Sequence, residues 1–430
     1  MSIPLDRLYN FLHDVVDHDI IIYRFWPHGS KKLKDLATLI PNPTWGRALT
    51  RPHVIFHDQE PLNFHYWTND EFIQIWRHNN AQLTPVLHAS EYVNYQISLH
   101  LRGRVKNNLY DYVLLVHSEK NSKEVDTYFQ RGFLPVYYWS HAVIASDWFR
   151  YAKHDPVLQY DTATFTQDFL IYNRAWSGTR EYRLAFADQL VRAELVKHCR
   201  TSFAPIDSGL HYSQHTFVNP NLAITKTDLE TVLPANTHDS HASADYDHLD
   251  YVQTGMEIVL ETLFDDSRWH LTEKALRPIA CGKPFMLVAT AGSLEYLRSY
   301  GFETFGNFID ESYDFIIDPV ARLHAIIQEM SRISSMPLED KIVLWDQLHK
   351  IAARNKQRFF SAEWQASIVQ EYVDNMNQAM VTMNQNCTGK HWKRFHEELS
   401  IANEVTTQDQ RDYVSNFLAL KNSPGPAVGQ

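Results

Sequence analysis

The chain is poor in cysteine and glycine, and it has no stretch able to span a bilayer. Of its 430 residues only Cys199, Cys281 and Cys387 are cysteines, and 14 are glycines. The cysteines show no CxxC spacing, which argues against a disulfide framework and a cysteine zinc site and fits a reducing cytoplasm. No uncharged apolar run approaches the roughly 20 residues a membrane helix needs. The opening "MSIPLDRLYNFLHDVVDHD" has no basic segment followed by an apolar one, so no signal peptide is expected. Neither GxGxxG nor GxxxxGK(S/T) occurs, which lowers the odds of a dehydrogenase or a P-loop enzyme.

Positive charge is also in short supply. With 40 basic against 51 acidic residues the net charge is −11, histidine taken as neutral. A protein that gained its affinity by neutralising phosphates would lean the other way, so nucleic acid is disfavoured as the main partner. The basic patches "SKKLK" (Ser30 to Lys34), "LRGRVK" (Leu101 to Lys106) and "KHWKRFH" (Lys390 to His396) read as solvated faces.

What is present is a globular composition, 44% hydrophobic and 21% charged, in a chain longer than one core normally serves. Apolar β-branched runs ending in polar residues alternate with helical patterns: "DIIIYRFWPHGS", "HVIFHDQEP", "YDYVLLVHSEKNS" and "FLPVYYWSHAV", with "SKEVDTYFQRG" a helix capped by Ser122 and stopped by Gly132. The pattern predicts a parallel α/β sheet. Tyr151 to Gln167 reads as a linker. A second series follows: the strand "DFLIYNR", the helix Ser177 to Leu195, the strand "EIVLET", then "SRWHLTEKALRPIACGKPFMLVA". The polar Leu222 to Tyr251 stretch reads as a long surface loop or lid. The expected organisation is an N-terminal α/β domain (1–160), a second α/β domain (161–320), a helical extension (321–422) and a disordered tail (423–430).

The junction around Glu273 carries the chemistry. Thr272 fits an N-cap, which starts a helix at Glu273; Gly282 and Pro284 end it, and Pro278 should bend it. A helix N-terminus offers free N–H groups to a phosphate. Lys274 adds a full positive charge there, and Glu273 suits the hydroxyls of a ribose. Together they point to a nucleoside diphosphate. Arg174 at a strand end and Arg180 in the first turn of the next helix are further diphosphate candidates, because a guanidinium fork suits a pyrophosphate. Farther on, Ser293 is expected to cap a helix that Gly301 ends.

The segment "EIVLETLFDDSRWHLTEKALRPIACGKPFML" resembles the donor-binding segment of the fucosyltransferase-like GT-B glycosyltransferases. Glu261 and Thr262 match that family's Glu-Asn, Thr272, Glu273 and Lys274 match Thr-Glu-Lys, and Gly282 with Pro284 match the exit. The chain departs from the pattern at Thr262, where asparagine is usual. A weaker resemblance is to uncharacterised glycosyltransferase-like proteins of large phages. The resemblance implies two Rossmann-like domains facing a cleft, with the helices after Asp318 as a tail packing back across both. It implies ribose held by Glu273 and diphosphate held by Lys274 and Arg180, with Arg174 as second choice, and places Glu261 and Thr272 among the donor-binding residues.

Such an enzyme needs a base on the acceptor side. Asp58 or Glu60, two carboxylates after an apolar strand, are the favoured catalytic residues; His117, Glu119 and His141 are further candidates. The aromatic residues of this region, Trp26, Trp67, Trp76, Tyr138 and Trp139, are expected mostly in the core. The loop holding His238, His241 and His248 lacks metal-ligand spacing, so no obligatory metal is expected, and the co-substrate would be a nucleotide sugar. The expected activity is sugar transfer from a nucleotide-sugar donor to an acceptor hydroxyl, with inversion at the anomeric carbon. The acceptor is a glycan or, alternatively, a hydroxymethylated pyrimidine in phage DNA; a non-catalytic nucleotide- or sugar-binding module is the other alternative. A cytoplasmic protein without integral membrane contact is expected.

Overall fold

The computed structural model describes residues 15–16, 21–25, 37–39, 53–57, 61–62, 113–130, 133–147, 158–224, 228–234 and 245–386. The catalytic candidates Asp58 and Glu60, the residues Trp26, Trp67, Trp76, Gly132, His238 and His241, the three basic patches, Cys387 and the 423–430 tail lie outside them. The chain divides into two units, one built on Ile3–Ser140 with Ile368–Gln430, the other on His141–Ser367.

The first unit holds a five-stranded sheet of β1 (Ile21–Phe25), β2 (Ala37–Leu39), β3 (His53–His57), β4 (Val113–His117) and β5 (Phe133–Tyr137), in the order β2-β1-β3-β4-β5. Only the β1–β2 pair is antiparallel; the others are parallel, as the alternation with helices predicts. Helix α1 (Lys123–Gln130) crosses between β4 and β5, and its Val125 N–H donates to the Ser122 hydroxyl at 3.4 Å. At the end of β5, Tyr138 and Trp139 are fully buried. Helix α2 (Ser140–Asp147) then carries the chain into the second unit, which begins at His141.

The second unit holds a four-stranded parallel sheet: β6 (Gln167–Asn173), β7 (Cys199–Phe203), β10 (Thr254–Leu260) and β11 (Phe285–Val288), ordered β11-β10-β6-β7. A short hairpin of β8 (Ile206–Asp207) and β9 (Leu210–His211) follows β7. All seven residues of β10 are buried, as are all four of β11, which is why neither strand alternates; β11 is wholly apolar, while β10 also buries Thr254 and Glu257. The edge strand β7 reads "CRTSF", and its polar middle is partly exposed, so it gives no apolar run to recognise.

Helix α3 (Tyr182–Arg192) links β6 to β7. It starts later than the sequence predicts, because Ser177 to Arg180 forms a separate 3₁₀ turn that Gly178 opens at φ 65°. The expected lid is also more ordered than its composition implies. Its described parts include helices α4 (Leu229–Val232) and α5 (His248–Val252), and the Asp247 side chain caps α5 through the Leu249 and Asp250 amides. The expected linker is likewise built in from residue 158 on, with Tyr160 Oη donating to the Cys281 carbonyl at 2.9 Å.

Helix α6 (Glu273–Cys281) runs from β10 to β11, and α7 (Ser293–Ser299) follows β11. Three longer helices complete the described chain: α8 (Pro319–Ser334), α9 (Leu338–Phe359) and α10 (Ala362–Asn386). Helix α9 packs against α6, and its Trp345 lies where a side chain at Gly255 would stand. Beyond Ser367, α10 belongs to the first unit, where Tyr372 meets the rings of Phe56 and Tyr138 and Asn375 donates to the Tyr137 carbonyl at 2.9 Å. Among the described residues no helix is long and apolar enough to cross a membrane.

A charged residue inside the central strand needs a partner of opposite sign. Glu257 of β10 is fully buried and bonds both Arg277 of α6 and the Tyr251 hydroxyl. Arg277 also lies over the Tyr172 ring of β6 at 4.8 Å, so one buried cation ties α6 to two strands. Lys283, fully buried just after Gly282, donates to the Tyr251 carbonyl at 2.6 Å and to that of Thr254, and sits 5.0 Å from the rings of Tyr160 and Phe165. Burial holds its amine well below the ordinary lysine value.

Candidate functional site

The strand order places the site. From β6 the chain moves to one side to form β7, then returns to the other side for β10 and β11. The switch lies between β6 and β10, and ligands of open parallel sheets bind beyond the carboxyl ends of strands at such a point. Here the loops after β6 and β10 are joined: the Thr179 hydroxyl donates to the Thr262 carbonyl at 3.1 Å. Arg183 of α3 ties the same two loops, donating to the carbonyls of Ala175 (2.6 Å), Leu260 (2.6 Å) and Glu261 (3.0 Å).

At this point Thr272 caps α6 as its sequence predicts, its hydroxyl accepting the Lys274 N–H at 3.3 Å. The helix ends at Gly282 in the left-handed region, φ 68°. Glu261 has a different place from a ligand-facing one. It is fully buried, and both its oxygens are occupied: Oε1 accepts from the amides of Thr272 (3.0 Å) and Ala275 (3.2 Å), Oε2 from the Thr262 amide (3.0 Å) and the Thr272 hydroxyl (2.8 Å). The expected free N–H groups of this helix start are therefore in part already satisfied from inside the chain.

Glu273 and Lys274 remain facing outward, their side chains 18% and 15% exposed. Lys274 Nζ lies 2.8 Å from Glu273 Oε1, 3.3 Å from the Thr272 hydroxyl and 3.5 Å from that of Thr262. His141 of α2 approaches from the other side, with Nδ1 3.3 Å from Glu273 Oε2, and its ring packs edge-on against His270 at 5.3 Å. Burial alone would raise the Glu273 carboxyl, but Lys274 and His141 outweigh it and hold it well below the ordinary value. The group is a carboxylate at any physiological pH. A hydroxyl-lined lysine beside a fixed carboxylate can meet an anion and a hydroxyl-bearing group side by side.

Arg180 stands half-buried in the turn whose Thr179 bonds Thr262, next to the switch point. Arg174 donates to the Asp245 carbonyl at 3.3 Å and lies 5.8 Å from the Tyr172 ring, and burial lowers its basicity with Arg277 nearby. In the first unit His117 pairs in register with His57, and both are buried. Burial, with His57 beside it, brings the His117 imidazole down to about 3, which makes it a poor proton acceptor near neutrality. Glu119 is buried too, accepting the Leu62 amide at 2.5 Å and the Ser122 hydroxyl at 2.6 Å. The acceptor-side candidate His141 is the residue already placed 3.3 Å from Glu273.

The residues that position the site give little signal in sequence. Asp207 accepts the amides of Trp176 (2.8 Å) and Ser177 (2.7 Å), and these bonds, against the upward pull of burial, hold its carboxyl below the ordinary value. Asp314 accepts the Leu294 amide at the start of α7. There the cap is Gly292, at φ 84°, and not Ser293, which is the first helical residue and donates to the Thr290 carbonyl at 2.6 Å. Trp269 covers Gly292 and donates to the Ala291 carbonyl at 2.9 Å. Gly301, at φ 78°, follows the end of α7 as expected. Among the described residues no cluster of three or more histidine, cysteine or acidic side chains is placed to hold a metal ion.

No protein-family model, curated protein or solved structure matches the chain.

Proposed function

We propose that the second unit binds the diphosphate and ribose of a nucleotide-sugar donor and that the protein is a glycosyltransferase. The observation that carries the reading is the placement of Lys274 and ionised Glu273, with the Thr262 and Thr272 hydroxyls, at the switch point of a parallel sheet. Lys274 and the neighbouring Arg180 supply the charge for a diphosphate, and Glu273 accepts the ribose hydroxyls. The Thr-Glu-Lys resemblance supports the same assignment.

In the transfer an acceptor oxygen attacks the anomeric carbon, and the bond from that carbon to the phosphate oxygen breaks. The diphosphate leaves with the electron pair, and the acceptor proton passes to a base. Cationic groups on the leaving oxygen lower the barrier because charge grows there. Asp58 and Glu60 remain the candidates for the base. Direct attack of this kind inverts the anomeric centre.

The test is a survey of sugar nucleotides with glycan and hydroxymethylated-DNA acceptors, read as free nucleoside diphosphate by mass spectrometry. Acceptor-dependent release that Lys274→Ala abolishes supports the reading, and the productive acceptor tells glycan from DNA. Tight nucleotide binding with no release under any pairing would leave a binding module.

A further inference from the structure

We infer, on the nucleotide reading above, that Asp265 recognises the transferred sugar: its carboxylate accepts the hydroxyls of a neutral hexose, and Asn219 holds it in place. The loop after β10 runs from Thr262, whose hydroxyl lies 3.5 Å from Lys274 Nζ, to Asp265 three residues on. Phe264 stacks on Tyr182 at 4.5 Å, which brings this loop against the start of α3, beside Arg180. With ribose at Glu273 and diphosphate at Lys274 and Arg180, the sugar on the second phosphate lies on the side away from Glu273. The α3 side, where Asp265 stands, is that side.

Asp265 is exposed, while its neighbour Asp266 is paired with Arg268 through both oxygens at 2.5 to 2.9 Å. The bond to Asp265 comes from a neutral amide, Asn219 Nδ2 donating to Oδ2 at 2.6 Å. Arg322, which feels the charge of Asp265, donates instead to the carbonyls of Phe264, Ile316 and Ile317. Asn219 is fixed at three points: besides Asp265, its Oδ1 accepts the Asn221 amide at 3.0 Å and its main-chain N–H donates to Glu181 Oε1 at 2.8 Å. Glu181, buried at the start of α3, also accepts the Val218 amide at 2.8 Å and lies 3.1 Å from His215 Nε2, whose ring is edge-on to Trp176 and Phe217. The 212–222 loop so anchored sets the direction of one exposed carboxylate. Beside a diphosphate that charge would only repel, unless it faces hydroxyl donors. The same charge turns away a uronic acid.

Titration calorimetry compares UDP, GDP and ADP with UDP-glucose, UDP-galactose, UDP-N-acetylglucosamine, UDP-glucuronate, GDP-mannose, GDP-fucose and ADP-glucose, which gives the affinity each sugar adds to its parent diphosphate. At least one neutral sugar nucleotide should bind about tenfold or more tightly than its parent, the worth of hydrogen bonds to a charged acceptor. Asp265→Ala should bring that ratio to within about threefold and leave the parent diphosphate bound no more weakly. Asp265→Asn, which keeps an acceptor for Asn219, and Asn219→Ala, which frees Asp265 to turn, should fall between.

An unchanged ratio in a folded Asp265→Ala protein, or no gain from any sugar in the wild type, overturns the inference while leaving nucleotide binding intact. So does UDP-glucuronate bound more tightly than every neutral donor. If no nucleoside diphosphate or sugar nucleotide binds the wild type, the nucleotide reading itself fails and the inference goes with it. Should Asp265→Ala not fold, Asp265→Asn decides, and a ratio equal to the wild type's contradicts the proposal.

Discussion

Glu261 and Thr272 are bonded twice, through the Thr272 amide to Oε1 at 3.0 Å and the Thr272 hydroxyl to Oε2 at 2.8 Å. A buried carboxylate thus sits at the positive end of α6 and takes the Ala275 amide as well. It fixes the helix start on which Glu273 and Lys274 stand, and it uses main-chain donors that a phosphate would otherwise claim. In the proposed donor site this shifts the burden of holding a diphosphate toward side chains.

Glu261→Gln replaces acceptor capacity with a donor facing other donors. It should destabilise the protein by about 2–4 kcal/mol, since hydrogen bonds to a buried charge are lost and amides are left unsatisfied. Urea unfolding measures this, and a change below about 0.5 kcal/mol, the usual range of a neutral surface substitution, would contradict the assignment.

Gly255 lies inside β10, where an added Cβ would stand 2.5 Å from the Trp345 ring and 2.8 Å from the Asp168 carbonyl oxygen. Neither the ring, packed under α9, nor the backbone of β6 has room to move. Gly255→Ala should cost about 1–3 kcal/mol through overpacking, visible as a lower melting temperature. Gly209→Ala, with nothing within 4 Å but φ +81°, tests backbone strain without packing and should cost about 1–2 kcal/mol.

Arg277→Met would take the cation from buried Glu257 and leave it the bond from the Tyr251 hydroxyl. A loss of about 3–5 kcal/mol is expected, and the double variant Glu257→Gln with Arg277→Met should recover much of it. Equal stabilities of the single and double variants in denaturant would show that the pair is not coupled.

The half-buried ring of His349 lies tilted against that of Tyr160, centroids 4.4 Å apart, and burial, with Lys283 nearby, brings its imidazole down from 6.5 to about 3. Between those values the unfolded chain binds a proton that the folded chain does not, so stability falls as the pH drops below about 6.5. Above that pH the group has no effect. At pH 5 the cost approaches about 2 kcal/mol. His349→Phe keeps a ring against Tyr160 and cannot titrate, so its melting temperature should fall less than the wild type's between pH 7.5 and 5. Parallel slopes would contradict the buried, neutral state.

The strands and the α6 junction were legible because local chemistry decides them. Apolar runs made β4, β11 and the Ile258–Leu260 end of β10 recognisable, and Thr272 with Gly282 marked both ends of α6. β7 was not legible, since an edge strand needs no apolar run. Nor could sequence distinguish Glu261 from Glu273. Both are acidic residues near one helix, and only the folded chain turns the first inward onto amides and the second outward beside Lys274 and His141. His141 stands 132 positions before Glu273, counted as 273 minus 141, and no local pattern joins them.

The central claim is that Lys274 meets the diphosphate of a nucleotide at the switch point of the second unit. Calorimetric titration of nucleoside diphosphates into the wild type and Lys274→Ala tests it most directly. At least one diphosphate should bind, with affinity reduced about 10- to 100-fold in Lys274→Ala, the range expected for losing a charge-assisted bond. Equal affinities in the two proteins, or no binding of any nucleoside diphosphate to the wild type, would contradict it.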